Sequence, residues 1–303
     1  MDMHPDQLNI PHRTVRELVD GQFPEWRELP VRRVASQGTV NAIFRIGDGF
    51  AARFPLRGSD AAATRRSLES EAEAARELAG RTPFPTPEPV ALGEPGAGYP
   101  LPWSVQTWLP GVPATEEDPG GSVAFAHDVA GFIRGVRSIG TRGRSFDGEG
   151  RGGDLRDHDE WMGICFGHTE QLLDVDVPRL RRMWKAMREL PRVTEDVMTH
   201  GDLIPGNVLV SHGRLAGVID VGDLGPADPA LDLVGAWHLL EPGPRQALRA
   251  ELGCDELEWE RGKAWAFEQA MGAAWYYVES NPAMGRMGLR TLERLMADES
   301  SAA

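Results

Sequence analysis

Short apolar runs separated by turn residues fill the N-terminal part of the chain. Between Val31 and Pro55 such runs flank a turn at Gly47–Gly49, which is the pattern of short extended strands. The next segment, Ala61 to Leu78, is rich in Ala, Glu, Arg and Leu, lacks Pro and Gly, and is followed by Gly80. It predicts one helix. A further apolar run, Trp103 to Trp108, predicts another strand, so this part is a sheet with one helix.

Breaker residues interrupt the chain from Leu109 to Pro113, and helical spacing dominates beyond them. One predicted helix carries its apolar residues at intervals of three or four: Phe125, Val129, Phe132, Ile133 and Val136. Two short apolar runs, 208–210 and 216–219, lie close together around a Ser-His-Gly-Arg turn. They predict a hairpin within the helical part.

The length agrees with a division at this breaker-rich segment. A chain of 303 residues exceeds the usual size of a single core. We therefore predict an α+β, bilobal chain. Residues 1–108 form an antiparallel sheet with one helix, and residues 109–303 form a mainly helical lobe.

Charge and composition exclude several function classes. The 32 basic and 46 acidic residues give a formal charge of −14, which disfavours nucleic acid as a partner. No window approaches the roughly 18 uncharged apolar residues of a membrane span. The N-terminus lacks a basic, apolar signal, so a cytoplasmic protein is expected. Cys165 and Cys254 lie far apart, which argues against a disulfide framework or a zinc site.

One segment concentrates oxygen ligands beside apolar strands. Asp202 is followed five positions later by Asn207, and Asp220 ends the next short apolar run. This spacing supplies one carboxylate for a hydroxyl nucleophile and two oxygen ligands for Mg²⁺. Each residue alone is ordinary loop chemistry, but the combination indicates phosphoryl transfer.

The sequence His200-Gly-Asp202, with Asn207 and Ile219-Asp220, resembles the catalytic and metal-binding segments of the aminoglycoside phosphotransferase family. That resemblance implies a protein-kinase-like fold, ATP or GTP as co-substrate, and Mg²⁺. It assigns Asp202 as the catalytic aspartate and Asn207 and Asp220 as the metal ligands. His200 and Asp232 would support the catalytic loop.

The same resemblance assigns nucleotide binding to seven residues of the first lobe: Ser36, Gly38, Thr39, Arg53, Glu71, Gln106 and Trp108. Gly38 would let the backbone approach the phosphates. Arg53 stands where the kinase fold usually has lysine, with Glu71 as its ion-pair partner. A hairpin turn at Gly38 and surface positions for Arg53 and Glu71 are the plain alternatives.

Acceptor binding should come from the helical lobe, where four residues are the acidic and aromatic candidates: Asp157, Trp237, Glu268 and Tyr276. Tryptophan and tyrosine at helical spacing are also typical core residues, and Asp-rich turns are typical helix caps.

The expected function is Mg²⁺-dependent transfer of a γ-phosphoryl group to a hydroxyl of a small molecule. An aminoglycoside-like antibiotic, and so a cationic acceptor, leads the candidates, and the protein would act as a monomer or dimer. A housekeeping kinase for choline, homoserine or a sugar is the enzymatic alternative. A nucleotide-binding regulatory protein without turnover is the other, prompted by Arg53 and by the missing glycine-rich motif.

Overall fold

A computed structural model describes residues 7–34, 40–58 and 60–302. Its strands are β1 Val31–Arg33, β2 Asn41–Ile46, β3 Phe50–Pro55, β4 Pro89–Gly93, β5 Trp103–Thr107, β6 Val112–Pro113, β7 Val197–Thr199, β8 Val208–Ser211, β9 Arg214–Val218 and β10 Gly225–Ala227. Its helices are α1 His12–Gln22, α2 Ala61–Leu78, α3 Val123–Arg137, α4 Asp159–Leu172, α5 Val177–Met187, α6 Val234–Leu239, α7 Pro242–Leu252, α8 Glu256–Tyr276 and α9 Pro282–Ala302. Short 3-10 turns, Leu155–His158, Val221–Asp223 and Pro229–Leu233 among them, join several elements.

A five-stranded antiparallel sheet in the order β1-β2-β3-β5-β4 forms the N-terminal part. Alternate residues of β2 and β3 point into its core, as a half-buried strand requires. Phe54 stacks on Trp103 with ring centroids 4.6 Å apart. An added Cβ at Gly93 would lie 2.1 Å from the Trp103 ring, so this close approach requires glycine.

Helix α2 begins at the residue that the sequence indicates and packs against both parts of the molecule. Asp60 caps it by accepting a hydrogen bond from the Ala62 N–H at 2.9 Å. Ala75 and Leu78, near its C-terminal end, belong to the larger hydrophobic core, which otherwise lies beyond residue 110. The helix therefore connects the sheet to the helical part.

Helices make up most of the chain after β5, and two small antiparallel sheets lie among them. One sheet has the order β6-β8-β9, and the other pairs β7 with β10. The Ile219 N–H donates to the Asn207 carbonyl at 2.8 Å, which extends the β8–β9 pairing toward the loops. The predicted α+β architecture, with an antiparallel sheet first and helices after it, is confirmed. Within the described ranges, no helix is long and apolar enough to cross a membrane.

Candidate active site

A buried carboxylate holds the backbone of the loop that follows β7. Asp232 is fully buried, and its two oxygens accept hydrogen bonds from the backbone N–H groups of His200 and Gly201, each at 2.9 Å. Gly201 has a φ of 85°, which glycine adopts without strain. Asp232 thereby fixes the path of the chain into Asp202.

The ring of His200 is used entirely in local structure. Its Nδ1 accepts a hydrogen bond from the Asp202 N–H at 3.3 Å, so its Nε2 carries the proton and donates to the Ile219 carbonyl at 3.2 Å. The ring also packs edge-on against Phe132, with centroids 5.9 Å apart. His200 therefore links the two loops and takes no position open to a substrate.

The carboxylate of Asp202 is oriented by three donors. Its Oδ1 accepts from Gln269 Nε2 at 2.5 Å and from Arg151 Nη2 at 3.1 Å. Its Oδ2 accepts from Asn207 Nδ2 at 2.8 Å. A carboxylate oxygen can accept about two hydrogen bonds. Among the described residues Oδ1 is therefore filled, and Oδ2 is the oxygen that can accept a proton from a substrate hydroxyl.

Arg151 reaches Asp202 from the Gly- and Arg-rich loop before α4. The loop is held by Arg261, whose guanidinium donates to the Gly153 carbonyl at 3.0 Å and forms an ion pair with Asp228 at 2.6 Å. Arg261 and Asp228 are both buried, and breaking such a pair leaves an unpaired buried charge. The position of Arg151 is thus set by the helical core.

Asn207 and Asp220 carry the oxygens that fit a magnesium ion. The Asn207 side chain donates through Nδ2 to Asp202. The amide oxygen of Asn207 therefore points away from Asp202. Asp220 adopts the left-handed conformation with φ and ψ both 59°, an uncommon backbone state that clusters at functional sites. One carboxylate and one amide oxygen suit Mg²⁺, which fills its other positions with phosphate oxygens and water.

Acidic side chains do not form a metal site by themselves. In the described part of the chain, no group of three or more His, Cys, Asp or Glu side chains is placed to hold a metal ion. Asn207 and Asp220 would therefore leave most coordination positions of a metal ion to other ligands.

Asp223 adds negative charge to the same place. Loss of hydration within the cleft, and then the charges of Asp202 and Asp220, raise the pKa of its carboxyl above the ordinary 3.8. The structure thus places Asp223 near two other carboxylates. Such a group of acids favours the binding of a cation.

Arg53 connects the sheet to both α2 and the loop that carries Asp220. Its Nη1 donates to Glu71 Oε2 at 2.8 Å, and its Nη2 donates to Asp220 Oδ1 at 3.1 Å. The forked guanidinium makes both contacts at once, which a lysine ammonium would do less well. The ion pair between Arg53 and Glu71 is present, and contact with a phosphate stays a prediction.

The structure describes only some of the other residues predicted to bind the nucleotide. Ser36, Gly38 and Thr39 lie outside the described residues. Gln106 pairs with both neighbouring strands in β5 and lines a cavity of about 370 Å³ between α2 and the sheet. Trp108 donates its backbone N–H to the Gly49 carbonyl at 2.8 Å.

The Trp108 ring lies under the Arg45 guanidinium at 4.8 Å. The cavity also contains Arg53 and Glu71 in its wall. The cavity therefore lies between α2 and the sheet, beside the Arg53–Glu71 ion pair.

Glu268 lies inside the helical part, next to Gln269, whose side chain contacts Asp202. Its side chain is 5% exposed and its Oε1 is 3.0 Å from His158 Nδ1. Burial alone would lower the pKa of His158, but the hydrogen bond and the charge of Glu268 raise it above the ordinary 6.5. The second Glu268 oxygen is buried and has no hydrogen-bond partner among the described residues.

The remaining acceptor candidates divide between core and surface. Trp237 is fully buried and packs against Arg245 and Trp259, so it has no surface for a substrate. Tyr276, at the end of α8, is 47% exposed. Asp157 is exposed in the 3-10 turn before α4.

Trp161 presents an aromatic surface beside α8. It is 37% exposed, and an added Cβ at Gly272 would lie 3.0 Å from its ring. Gln269, Gly272 and Tyr276 follow one another at helical spacing on α8. An exposed aromatic surface therefore begins one helical turn from the residue that contacts Asp202.

Comparison with known proteins identifies the chain. The model of the phosphotransferase enzyme family (APH) matches residues 31–265, which is most of its length. The chain belongs to this family. The match covers the sheet, α2, the loop that carries Asp202 and the first half of α8, and it ends before Gln269.

Individual relatives match over shorter stretches. An aminoglycoside 3'-phosphotransferase from Escherichia coli is 41% identical over 76 residues, which are 24% of this chain and 28% of the relative. A viomycin phosphotransferase from Streptomyces vinaceus is 31% identical over 187 residues, 56% of this chain and 63% of the relative. The chain thus spans less than two thirds of these relatives.

A solved structure matches over nearly the whole chain. The GDP complex of wild-type aminoglycoside 2'-phosphotransferase-IIIa superposes with a TM-score of 0.69 at 18% identity, covering 95% of this chain and 98% of that one. The likeness shows the kinase-like fold of the family.

Two residues that contact Asp202 escape sequence reasoning. Arg151 and Gln269 contact Asp202 but lie 51 and 67 residues from it along the chain. Arg151 stands in a loop with no motif of its own. Gln269 follows Glu268, and only the helix rotation between the two decides which one faces the catalytic loop.

Proposed function

We propose that this protein transfers the γ-phosphoryl group of ATP or GTP, with Mg²⁺, to a hydroxyl of a small molecule. The observation that carries the proposal is the orientation of Asp202 by Asn207, Gln269 and Arg151, with Asp220 and Arg53 beside it. Residues 1–108 would bind the nucleotide, and residues 109–303 would hold the catalytic loop and the acceptor. Because the co-substrate is a nucleoside triphosphate, we place the reaction in the cytoplasm.

In the proposed mechanism Asp202 receives the acceptor proton. The acceptor hydroxyl donates to Asp202 Oδ2, the oxygen with room for another hydrogen bond. Its oxygen forms the new bond to the γ-phosphorus as the bond from that phosphorus to the β,γ-bridging oxygen breaks. The proton passes to Asp202 and the nucleoside diphosphate leaves. Positioning contributes more than basicity in such a loose transfer.

Asn207 and Asp220 would hold Mg²⁺, which supplies charge neutralisation at the phosphate oxygens when bound. Arg53 would direct its guanidinium to the phosphates while Glu71 keeps it in place. Asp232 and His200 keep the loop backbone fixed throughout, so little reorganisation is needed at the moment of transfer.

As acceptor we propose an antibiotic, with aminoglycosides first. Support comes from the relatives, which are an aminoglycoside and a viomycin phosphotransferase. The net charge of −14 suits a cationic acceptor. The exposed Trp161 and Tyr276 offer stacking surfaces to such a molecule.

The test is a screen for acceptor-dependent release of ADP or GDP, with ATP and GTP, over aminoglycosides, viomycin, macrolides, choline, homoserine and sugars. The Asp202→Asn variant is the control. We expect one acceptor class to stimulate release, and the variant to lower turnover by roughly 10² or more while still binding nucleotide. A metabolite as sole acceptor would favour the housekeeping kinase. Nucleotide binding without turnover on any acceptor would favour the regulatory alternative.

A further inference from the structure

A chain of hydrogen bonds leads from Asp202 into the helical core. Gln269 Nε2 donates to Asp202 Oδ1 at 2.5 Å, and Gln269 Oε1 is 3.0 Å from His238 Nε2. His238 Nδ1 is in turn 2.9 Å from Thr291 Oγ1. The chain crosses α8, α6 and α9 in that order. His238 and Thr291 are buried.

The direction of every bond in this chain follows from the carboxylate. Asp202 accepts, so the amide nitrogen of Gln269 faces it and the amide oxygen faces His238. His238 must then donate through Nε2. Burial lowers the pKa of His238 to about 3, so the ring is neutral and its Nδ1 accepts from the Thr291 hydroxyl.

We propose that Gln269, His238 and Thr291 are positioning residues that fix the side-chain rotamer of Asp202. This inference rests on the proposed function, in which Asp202 receives the acceptor proton. These three residues form a hydrogen-bond relay that ends on Asp202 Oδ1. By occupying Oδ1, the relay leaves Oδ2 for the acceptor hydroxyl. Asp232 fixes the backbone of the same loop from the 3-10 turn just before α6, so backbone and side chain are held separately.

Substitution of Gln269 tests the relay most directly. Gln269→Leu removes the donor, and we expect kcat to fall about 10- to 100-fold, the scale of a misplaced catalytic group, while the KM for nucleotide changes less than about 2-fold. Thr291→Val removes the last hydroxyl, and kcat should fall only about 3-fold, as for one lost hydrogen bond. Thr291→Ser keeps the hydroxyl and should restore activity.

Gln269→Glu gives a readout that a purely structural role would not produce. At neutral pH the introduced carboxylate repels Asp202. As the pH falls and the carboxyl takes up a proton, it becomes a donor again. Its kcat relative to wild type should therefore rise toward low pH, whereas Gln269→Leu should show no such recovery. Identical pH profiles for the two variants would overturn the relay.

Lys263→Met is the matched control on the same helix. Lys263 joins α8 to α9 through Asp298 at 2.7 Å and does not touch Asp202. Its loss should lower the melting temperature without lowering kcat. If Gln269→Leu behaved the same way, the relay would be wrong.

The outcomes separate this inference from the proposed function. Loss of acceptor-dependent turnover in Asp202→Asn, with full kcat in Gln269→Leu, refutes the relay alone. Full turnover in Asp202→Asn refutes the proposed function. Nitrogen-15 NMR of labelled histidine adds a readout without activity, since the His238 ring should stay neutral with its proton on Nε2 from pH 8 to pH 5. A protonated ring at pH 5 would contradict the assigned bond directions.

Discussion

The proposed catalytic segment and the proposed acceptor side are built in opposite ways. The proposed catalytic segment, residues 197–223, is one short stretch of the chain. Backbone hydrogen bonds and buried side chains hold it in place. The acceptor side combines α4 and α8, whose contacts cross long stretches of chain, and it exposes Trp161 and Tyr276. The difference teaches that the residues proposed for the reaction lie close together in sequence, whereas the side chains that orient Asp202 and those proposed to meet the acceptor are brought there by tertiary packing.

The largest loss of stability should come from substitution of Asp232, because this residue holds the backbone of the proposed catalytic segment. Asp232→Ala leaves the N–H groups of His200 and Gly201 buried without an acceptor. At about 1–3 kcal/mol for each of the two unsatisfied groups, the free energy of unfolding should fall by about 2–6 kcal/mol. Denaturant unfolding measures it. Asp232→Asn keeps one acceptor oxygen and should lose less, and equal losses in the two variants would contradict this account.

Asp220 should come next, with an effect on the chemistry more than on the fold. Asp220→Ala removes a proposed Mg²⁺ ligand and a partner of Arg53. We expect Mg²⁺-dependent nucleotide affinity to fall roughly 10-fold or more, together with turnover. Titration calorimetry with and without Mg²⁺ is the measurement. If only thermal stability changed, Asp220 would not be a metal ligand.

A smaller effect on the acceptor side would sharpen the comparison. Trp161→Ala removes an exposed aromatic surface, and the KM for the acceptor should rise about 3- to 10-fold, the scale of one aromatic contact. The kcat should stay unchanged, because the catalytic segment is untouched. Leu172→Ala, at an exposed position of the same helix, is the control and should leave both constants unchanged. A fall in kcat for Trp161→Ala would join the two regions that we describe as separate.

The smallest predicted effect concerns pH. Because Glu268 holds the pKa of His158 above 6.5, the folded state binds this proton more tightly than the unfolded state does. The stabilisation is present in full below pH 6.5 and is lost as the pH rises through the raised value. The wild type should therefore exceed His158→Gln in stability by more at pH 6 than at pH 9. Thermal unfolding at the two values measures this difference, and an equal margin at both would argue against the pair.

The predictability of the molecule follows the same division. Helix α2 follows from composition and from its Asp60 cap, and the β8–β9 hairpin follows from two apolar runs around a short turn. Asp202, Asn207 and Asp220 could be brought together from spacing because the hairpin between them is short. Trp237 could not be placed, since a tryptophan at helical spacing suits both a core and a binding surface.

Gln269 shows a different limit. The sequence offers its neighbour Glu268 as an acidic candidate for acceptor binding. The structure instead turns Glu268 toward His158 and Gln269 toward Asp202. Successive helical residues point about 100° apart, so the choice depends on how α8 is rotated in the bundle. That rotation is set by packing against α4, α6 and α9, which no local pattern contains.

The double attachment of helix α2 has a consequence for the opening of the cleft. Ala75 and Leu78 join it to the larger core, whereas Arg53 and Glu71 join it to the sheet. Movement of the sheet away from the helices would break the ion pairs of Arg53 with Glu71 and with Asp220, and would spare the apolar contacts of Ala75 and Leu78. If residues 1–108 bind the nucleotide as we propose, we expect nucleotide exchange to break these polar contacts while both hydrophobic cores stay intact.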